Sequence, residues 1–329
     1  MPDRPLASVS LDLDNLWSYL KTHGDSGWEA RPTYLPTLCA LTTDELARLG
    51  VTITFFIVGA DAVRDENQEA LRLLTRSGHE VGNHSFEHEP WLHLYPADQL
   101  EEEIERAHDA VKRATGKDPV GFRGPGFSWS PTLLEVLSRR YLFDASTLPT
   151  YLGPLARAYY LWTTDLPPEE RETRKKLFGT LRDGLRPVKP YHWTLEGDRR
   201  LLEIPVTTIP GLKTPFHLSY LLYLSRYSEA LMDAYLALAL HACRWTGTEP
   251  SFLLHPLDLL GAEDAPELSF FPAMDLPRSR KLQIFRKVMG RLSEHFHLVP
   301  MSVHAKALIA AGALPTRPAG PVPALPQYA

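Results

Sequence analysis

Over the first 150 residues, short apolar runs alternate with amphipathic stretches, a rhythm that demands repeated strand–helix units. Ser8 to Leu13 reads as a buried strand ending on two acids. Leu35 to Leu49 has helical spacing and stops at Gly50, and Val51 to Val58 (VTITFFIV) is a β-branched, aromatic strand closed by Gly59. Asp65 to Ser77 reads as a helix ahead of Gly78, and Glu80 to Asn83 as a short strand or turn. Ala97 to Thr115 is a long amphipathic helix, acidic early and basic in its last turn, as the helix dipole favours. Val120 to Phe122, a helix opened by Ser130-Pro131 and running through Arg140, and Leu142 to Ala145 continue the series. The alternation predicts an α/β fold built on a parallel sheet or barrel. Polar residues stand just past each strand: Asp12 and Asp14, His84, Arg123, Asp144. Barrel sites are assembled from those strand ends, so the placement is informative.

From Tyr151 to Glu249 the rhythm breaks. The segment holds an aromatic stretch (Tyr159, Tyr160, Trp162), a basic helix near Arg171 to Arg186, a strand pair around Tyr191 to Val206, and a long apolar helix from about Leu218 to Thr246. Ser251 to Leu254 resumes as a buried strand ending on His255, followed by a helix (Arg278 to Glu294) and a strand (His297 to Met301). The expected organisation is one domain over 1–310 carrying an insert at 151–249, then a loose Pro/Ala-rich tail over 311–329.

Composition narrows the function classes. The balance of 44% hydrophobic to 23% charged residues in 329 is that of a globular protein with a large core. A net charge of -5, with no basic run, argues against a nucleic-acid partner. Cys39 and Cys243 are too few and too far apart for a disulfide framework and read as reduced thiols. Met1 to Ser8 carries charge and proline where a leader needs an apolar stretch, and no run is long enough to span a bilayer. A cytoplasmic address is the expectation.

His84 and His88 are spaced i, i+4, so on one helical face both imidazoles could reach a single ion; alone, such a pair is more often a surface or hydrogen-bonded one. Asp12 and Asp14 sharpen it. Alternate strand residues share a side, and two acids so close are costly unless a cation or an arginine neutralises them. Two histidines and an aspartate with open positions form the pattern of a metal that activates water.

Motifs in order make a resemblance. Ser10-Leu11-Asp12-Leu13-Asp14, Asn83-His84 through His88, Phe122-Arg123-Gly124-Pro125-Gly126, Phe143-Asp144-Ala145-Ser146 and Leu253-Leu254-His255-Pro256 resemble the five motif regions of the polysaccharide deacetylase family, the NodB-homology or family 4 carbohydrate esterases. Thr54 to Gly59 and Gly78 to Gly82 resemble its second strand and its lead into the histidine motif. The resemblance implies a distorted (β/α)7-type barrel and hydrolysis of the C–N amide bond of an N-acetylated or N-formylated amino sugar. It implies that Asp14, His84 and His88 hold one divalent ion, commonly zinc, sometimes cobalt or nickel. Asp12 is implied as the general base, with Arg123 paired to it, and His255 as the general acid that protonates the leaving amine, with Asp144 as its acidic partner. An amide needs both helps, since it is a poor electrophile with a poor leaving group.

The chain departs from the common pattern in two places. Leu13 separates the two aspartates of the first motif, a D-x-D form found in branches that deacylate lipid-linked amino sugars and in some peptidoglycan-type deacetylases. The insert at 151–249 has no counterpart in the motif series. Its apolar helix (Leu221, Leu222, Leu224, Leu231, Tyr235, Leu238, Leu240) reads either as core or interface packing or as a groove and peripheral membrane contact for a polyprenyl-phosphate-linked sugar, with Lys175, Lys176, Arg182 and Arg186 toward the phosphate. Two rival functions stand beside the main one: a cyclic-amide hydrolase of the allantoinase type, and a non-catalytic carbohydrate-binding relative.

Overall fold

The structure, a computed structural model, describes residues 4–153 and 181–320. The aromatic stretch Tyr159 to Trp162 and most of the basic segment, including Lys175 and Lys176, lie outside the described residues. Among the described residues ten strands form one sheet: β1 (Leu6–Leu13), β2 (Thr54–Ile57), β3 (Glu80–Asn83), β4 (Gly121–Phe122), β5 (Phe143–Asp144), β6 (Tyr191–Thr194), β7 (Arg200–Glu203), β8 (Ser251–Leu254), β9 (His297–Val299) and β10 (Thr316–Pro318). Their order is β10-β6-β7-β5-β4-β3-β2-β1-β8, with β9 pairing the start of β1. From β7 through β5, β4, β3, β2 and β1 to β8 every pairing is parallel. That is the α/β architecture of a distorted seven-stranded barrel.

The closure comes from the chain just beyond β7. The Ile204 and Val206 amides donate to the carbonyls of Asp144 and Thr147, each at 2.9 Å, on one side. Thr207 then crosses to the other end of the sheet: its amide donates to Ser251 O at 3.1 Å, and the Ser251 amide donates to Thr207 Oγ1 at 2.8 Å. The region expected to be an insert thus supplies a barrel strand and the joint that closes the ring. The remainder of the strand pair, β6, runs antiparallel to β7. Thr316–Pro318, expected within a loose tail, instead pairs with β6 as an edge strand.

Alternation along β1 decides what faces inward. Ala7, Val9, Leu11 and Leu13 enter the main hydrophobic cluster with the surrounding helices. Ser8, Ser10 and Asp12 point the other way and are buried too. There they meet a small second core of Phe56, Phe143, Ala145, Leu202, Ile204, Met301 and Ala305, the last two from the helix Met301–Ala311. Gly82 and Gly121 leave the room for the Phe56 and Phe143 rings, which a Cβ at either glycine would strike.

The long helix expected from Leu218 to Thr246 is two, Leu218–Ser225 and Glu229–Thr246. Ser228 breaks them and caps the second by accepting from the Leu231 amide. Leu221, Leu222 and Leu240 are core, whereas Leu231, Leu238, Tyr227 and Trp245 are exposed. Among the described residues no helix is long and apolar enough to cross a membrane.

Candidate active site

Each residue expected to hold the metal or to act in catalysis lies at or just past the C-terminal end of a parallel strand or in the adjoining loop. β1 ends on Asp12 and Asp14, β3 leads to His84 and His88, β4 to Arg123, β5 holds Asp144, and β8 leads to His255. The β1–β8 register pairs Leu11 with Leu254, so Asp12 and His255 leave neighbouring strands at the same level.

Asp14, His84 and His88 converge. Asp14 Oδ1 lies 3.2 Å from His84 Nε2 and 3.0 Å from His88 Nε2, and the three donor atoms fall within 4.8 Å of one another. The two histidines do not share a helical face. They bracket a tight turn after β3 in which Ser85 and His88 take left-handed backbone angles, φ 61° and 53°. Neither is glycine, so the surroundings must impose the conformation. The Gly59 and Ala60 amides donate to the Ser85 and Phe86 carbonyls, each at 2.9 Å. Glu103 Oε1 accepts from the Phe86 and Glu87 amides at 2.9 and 2.7 Å. The structure brings the pair together through this turn and not through a helical face.

The donor set suits a metal ion. His84 Nδ1 lies 2.6 Å from the Arg123 carbonyl, to which it can only donate, so its Nε2 is the nitrogen left for a ligand. Burial alone would raise the Asp14 carboxyl; the two histidines, His88 foremost, outweigh it and hold Asp14 well below the ordinary carboxylate range. For His84, burial opposes the charged form, but the Asp14 hydrogen bond and the charges of Asp12 and Asp14 prevail and raise it. The trio attracts positive charge, whether proton or cation. Asp14 is itself anchored: Tyr34 Oη donates to its carbonyl at 2.7 Å. The next residue, Asn15, donates to Asp61 Oδ1 at 2.7 Å and to Thr33 Oγ1 at 2.8 Å.

Beside the trio, Arg123 is fully buried and ion-pairs with Asp12, Nη1 to Oδ1 at 2.7 Å. The same guanidinium donates to Ser10 Oγ at 2.8 Å and to the Ala145 carbonyl at 3.0 Å, and lies 4.5 Å over the Phe56 ring. Gly124, next in the chain, donates to Ser146 Oγ at 2.8 Å and packs so closely on the Ser128 carbonyl that a Cβ would overlap it.

Asp144 is placed differently from the expectation. Phe143 and Ala145 face the inner cluster, so strand alternation turns Asp144 to the opposite face, away from His255. There its Oδ1 accepts from Ser146 Oγ at 2.6 Å, and across the β5–β7 pair it faces Glu203. Glu203 accepts from the Thr147 amide and hydroxyl, at 3.1 and 2.6 Å, and from Trp193 Nε1 at 2.9 Å. Burial pushes Asp144 up to about 6; burial first and Asp144 second push Glu203 well above the carboxylate range. The two buried carboxyls retain a proton between them.

The acid near His255 is Asp258, whose Oδ2 accepts from the His255 amide at 2.8 Å. His255 Nδ1 is 3.3 Å from Ser219 Oγ, at the start of the helix Leu218–Ser225. Lys281, fully buried, donates to the Leu257 and Leu260 carbonyls at 2.6 and 2.7 Å and so clamps the loop after His255. Glu103, Glu203 and Ser219 were not singled out as site residues. Glu103 alone left a local trace, an acid within the apolar stripe of Leu100, Ile104 and Ala107.

Comparisons with known proteins show what the chain is similar to. Residues 25–140 match the polysaccharide deacetylase family model. A peptidoglycan-N-acetylmuramic acid deacetylase of Bacillus subtilis is 36% identical over 97 residues, 29% of this chain and 36% of the relative. A chitooligosaccharide deacetylase of Sinorhizobium fredii is 32% identical over 124 residues, 35% of this chain and 56% of the relative. The chain therefore spans between about a third and just over half the length of these relatives. In fold it is similar to a solved Mycobacterium smegmatis protein assigned to the polysaccharide deacetylases, with TM-score 0.61, 19% identity, and coverage of 99% of this chain and 97% of the other. With its motifs in order on the strand ends, the chain resembles the polysaccharide deacetylase family, whose model matches residues 25–140.

Proposed function

We propose that the protein is a metal-dependent hydrolase that removes an N-acetyl or N-formyl group from an amino sugar. The observation that carries the reading is the convergence of Asp14 Oδ1, His84 Nε2 and His88 Nε2 beside the buried Asp12–Arg123 pair. A divalent ion held by the trio, zinc first and cobalt or nickel as substitutes, would polarise the acyl carbonyl and make water a competent nucleophile at neutral pH.

The chain's own groups do the rest. Arg123 occupies Asp12 Oδ1 and fixes the carboxylate, leaving Oδ2 to take the proton of the attacking water. His255, half-buried at the end of β8, donates a proton to the departing amine on the opposite side. Its orientation comes from Ser219 and from the Asp258-capped loop, so Asp144 has a structural role in the β5–β7 layer.

A lipid-linked precursor is the finer reading of the substrate, supported by exposed Tyr227, Leu231, Leu238 and Trp245 on and between the two helices that follow His217. Cys39 and Cys243, both buried and unpaired, suit a reducing, cytoplasmic setting. The test is acid release from a panel of N-acylated amino sugars, free and lipid-linked, with and without chelator. Release that chelator stops and added zinc restores is the expected result. No release across the panel, or release indifferent to chelator, would refute it.

A further inference from the structure

His217 stands out among the groups that the proposed chemistry does not use. It precedes the helix Leu218–Ser225, in the segment outside the family motifs, and is only 7% exposed. Its Nδ1 is buried with no hydrogen-bond partner. A buried imidazole nitrogen left unpaired is costly, and a ligand hydroxyl is one partner that would satisfy it. The surroundings say where that partner sits. The His217 ring packs 5.6 Å from the His255 ring at 63° and 4.8 Å from Tyr220 at 82°. Two residues on, Ser219 contacts His255 Nδ1.

From this geometry we infer that His217 is a substrate-binding and specificity residue, which hydrogen-bonds a sugar hydroxyl next to the carbon that carries the acylated nitrogen. The inference rests on the deacylation reading. If His255 protonates the leaving nitrogen, an imidazole packed beside it reaches the substituent on the adjacent ring carbon. The chemistry of that substituent follows from the state of the ring. Burial first, then His255 and Arg123, hold His217 far below the ordinary histidine range, so it meets the ligand neutral. A neutral imidazole offers one donor and one acceptor, which a hydroxyl matches in both directions. A carboxylate or phosphate would instead favour the charged ring.

The test uses two substrates and two variants of the full chain. The substrates are an N-acylated amino sugar and its analogue with the neighbouring hydroxyl replaced by hydrogen. The variants are His217→Phe, which keeps ring size without nitrogen, and His217→Gln, which restores a donor and an acceptor. On the parent sugar, His217→Phe should lower kcat/KM by about 10- to 100-fold with zinc content unchanged, and His217→Gln should recover part of the loss. On the deoxy analogue, wild type and His217→Phe should be within about twofold of each other, because the contact is already gone. Equal losses on both substrates, as expected for a structural role or for an ordered water only, would overturn the assignment, and so would no loss on the parent.

Equilibrium binding of the deacylated amino sugar separates this result from a failure of the deacylation reading. If wild type turns over neither substrate, that reading falls, and His217 is then judged by affinity alone. At least tenfold weaker binding by His217→Phe sustains the contact. Equal affinity, or no binding by wild type, overturns it.

Discussion

Replacing Arg123 with methionine tests the electrostatic centre of the barrel. In the native chain the guanidinium is wholly enclosed and meets Asp12 Oδ1, Ser10 Oγ and the Ala145 carbonyl at 2.7, 2.8 and 3.0 Å, with the Phe56 ring beneath it. Methionine keeps much of the contact with Phe56 but leaves the Asp12 carboxylate, 4% exposed, without its counter-charge. Breaking a buried pair in this one-sided way costs about 3–5 kcal/mol, because the abandoned charge is the expensive part. At about 2 °C per kcal/mol for a chain of this size, the melting temperature should fall by about 6–10 °C. The cycle that isolates the cause adds Asp12→Asn. In the double variant the orphaned charge is gone, and stability should return by about 2 kcal/mol relative to Arg123→Met. The Ala145 carbonyl loses its donor in both backgrounds and cancels from the comparison. Urea unfolding followed by circular dichroism, on metal-stripped protein so that ligand loss does not enter, reads all four corners. A loss below about 1 kcal/mol for Arg123→Met, or a double variant no more stable than the single, would refute the account.

Asp14→Ala should abolish zinc uptake measured by metal analysis, whereas His255→Ala should retain zinc and lower kcat by about 10²- to 10⁴-fold; zinc-replete Asp14→Ala would break the ligand assignment. Glu103→Ala removes the acceptor of the Phe86 and Glu87 amides and should weaken zinc affinity by about 10- to 100-fold in a competition titration, with unchanged affinity counting against its hold on the turn. Asp144 binds its proton more tightly folded than unfolded, so the fold loses stability as pH rises from about 4 through about 6. Asp144→Asn, which keeps the acceptor for Ser146, should therefore exceed wild type by about 1–3 kcal/mol at pH 8 and match it at pH 4; no gain at pH 8 in urea unfolding would contradict the buried carboxyl pair. Gly124→Ala drives a methyl into the Ser128 carbonyl, which is backbone and cannot swing aside, and should cost about 1–3 kcal/mol; wild-type stability would show that the loop has slack.

How much of this was legible in the sequence depends on how far apart the interacting residues lie. The strands and most helices of the first 150 residues announce themselves through local period, and β1 shows its inward Ser8, Ser10 and Asp12 by simple alternation. The histidine pair was visible as a spacing, yet the spacing suggested a helix. The turn that replaces it depends on Gly59, Ala60 and Glu103, which reach Ser85 to Glu87 only after the chain has folded. Asp144 was assigned to His255 because both fall in ordered motifs. Its strand is two residues long, too short for a period to reveal which side faces in, and only Phe143 and Ala145 in the inner cluster settle it. Glu203 and His217 carry no local mark, since each gains its meaning from a partner 38 or more positions away across the sheet or the site. The segment after Tyr151 misled most, because a hairpin followed by apolar helices reads as an addition to a barrel when it in fact completes one.

That completion bears on how such a protein could be re-engineered or could diverge. The hydrogen bonds between Thr207 and Ser251 make residues 200–208 a keystone, whereas the two helices from Leu218 to Thr246 begin and end within a short step of the ring. A chimera that exchanged the whole of 151–249 with a relative would transplant the closure along with the substrate wall, and would be expected to open. One that exchanged only 216–247 would leave the hoop intact and carry His217 and Ser219 as a portable cassette. Selection acting on substrate preference has the same choice of cut points, and only the second leaves a folded intermediate at every step.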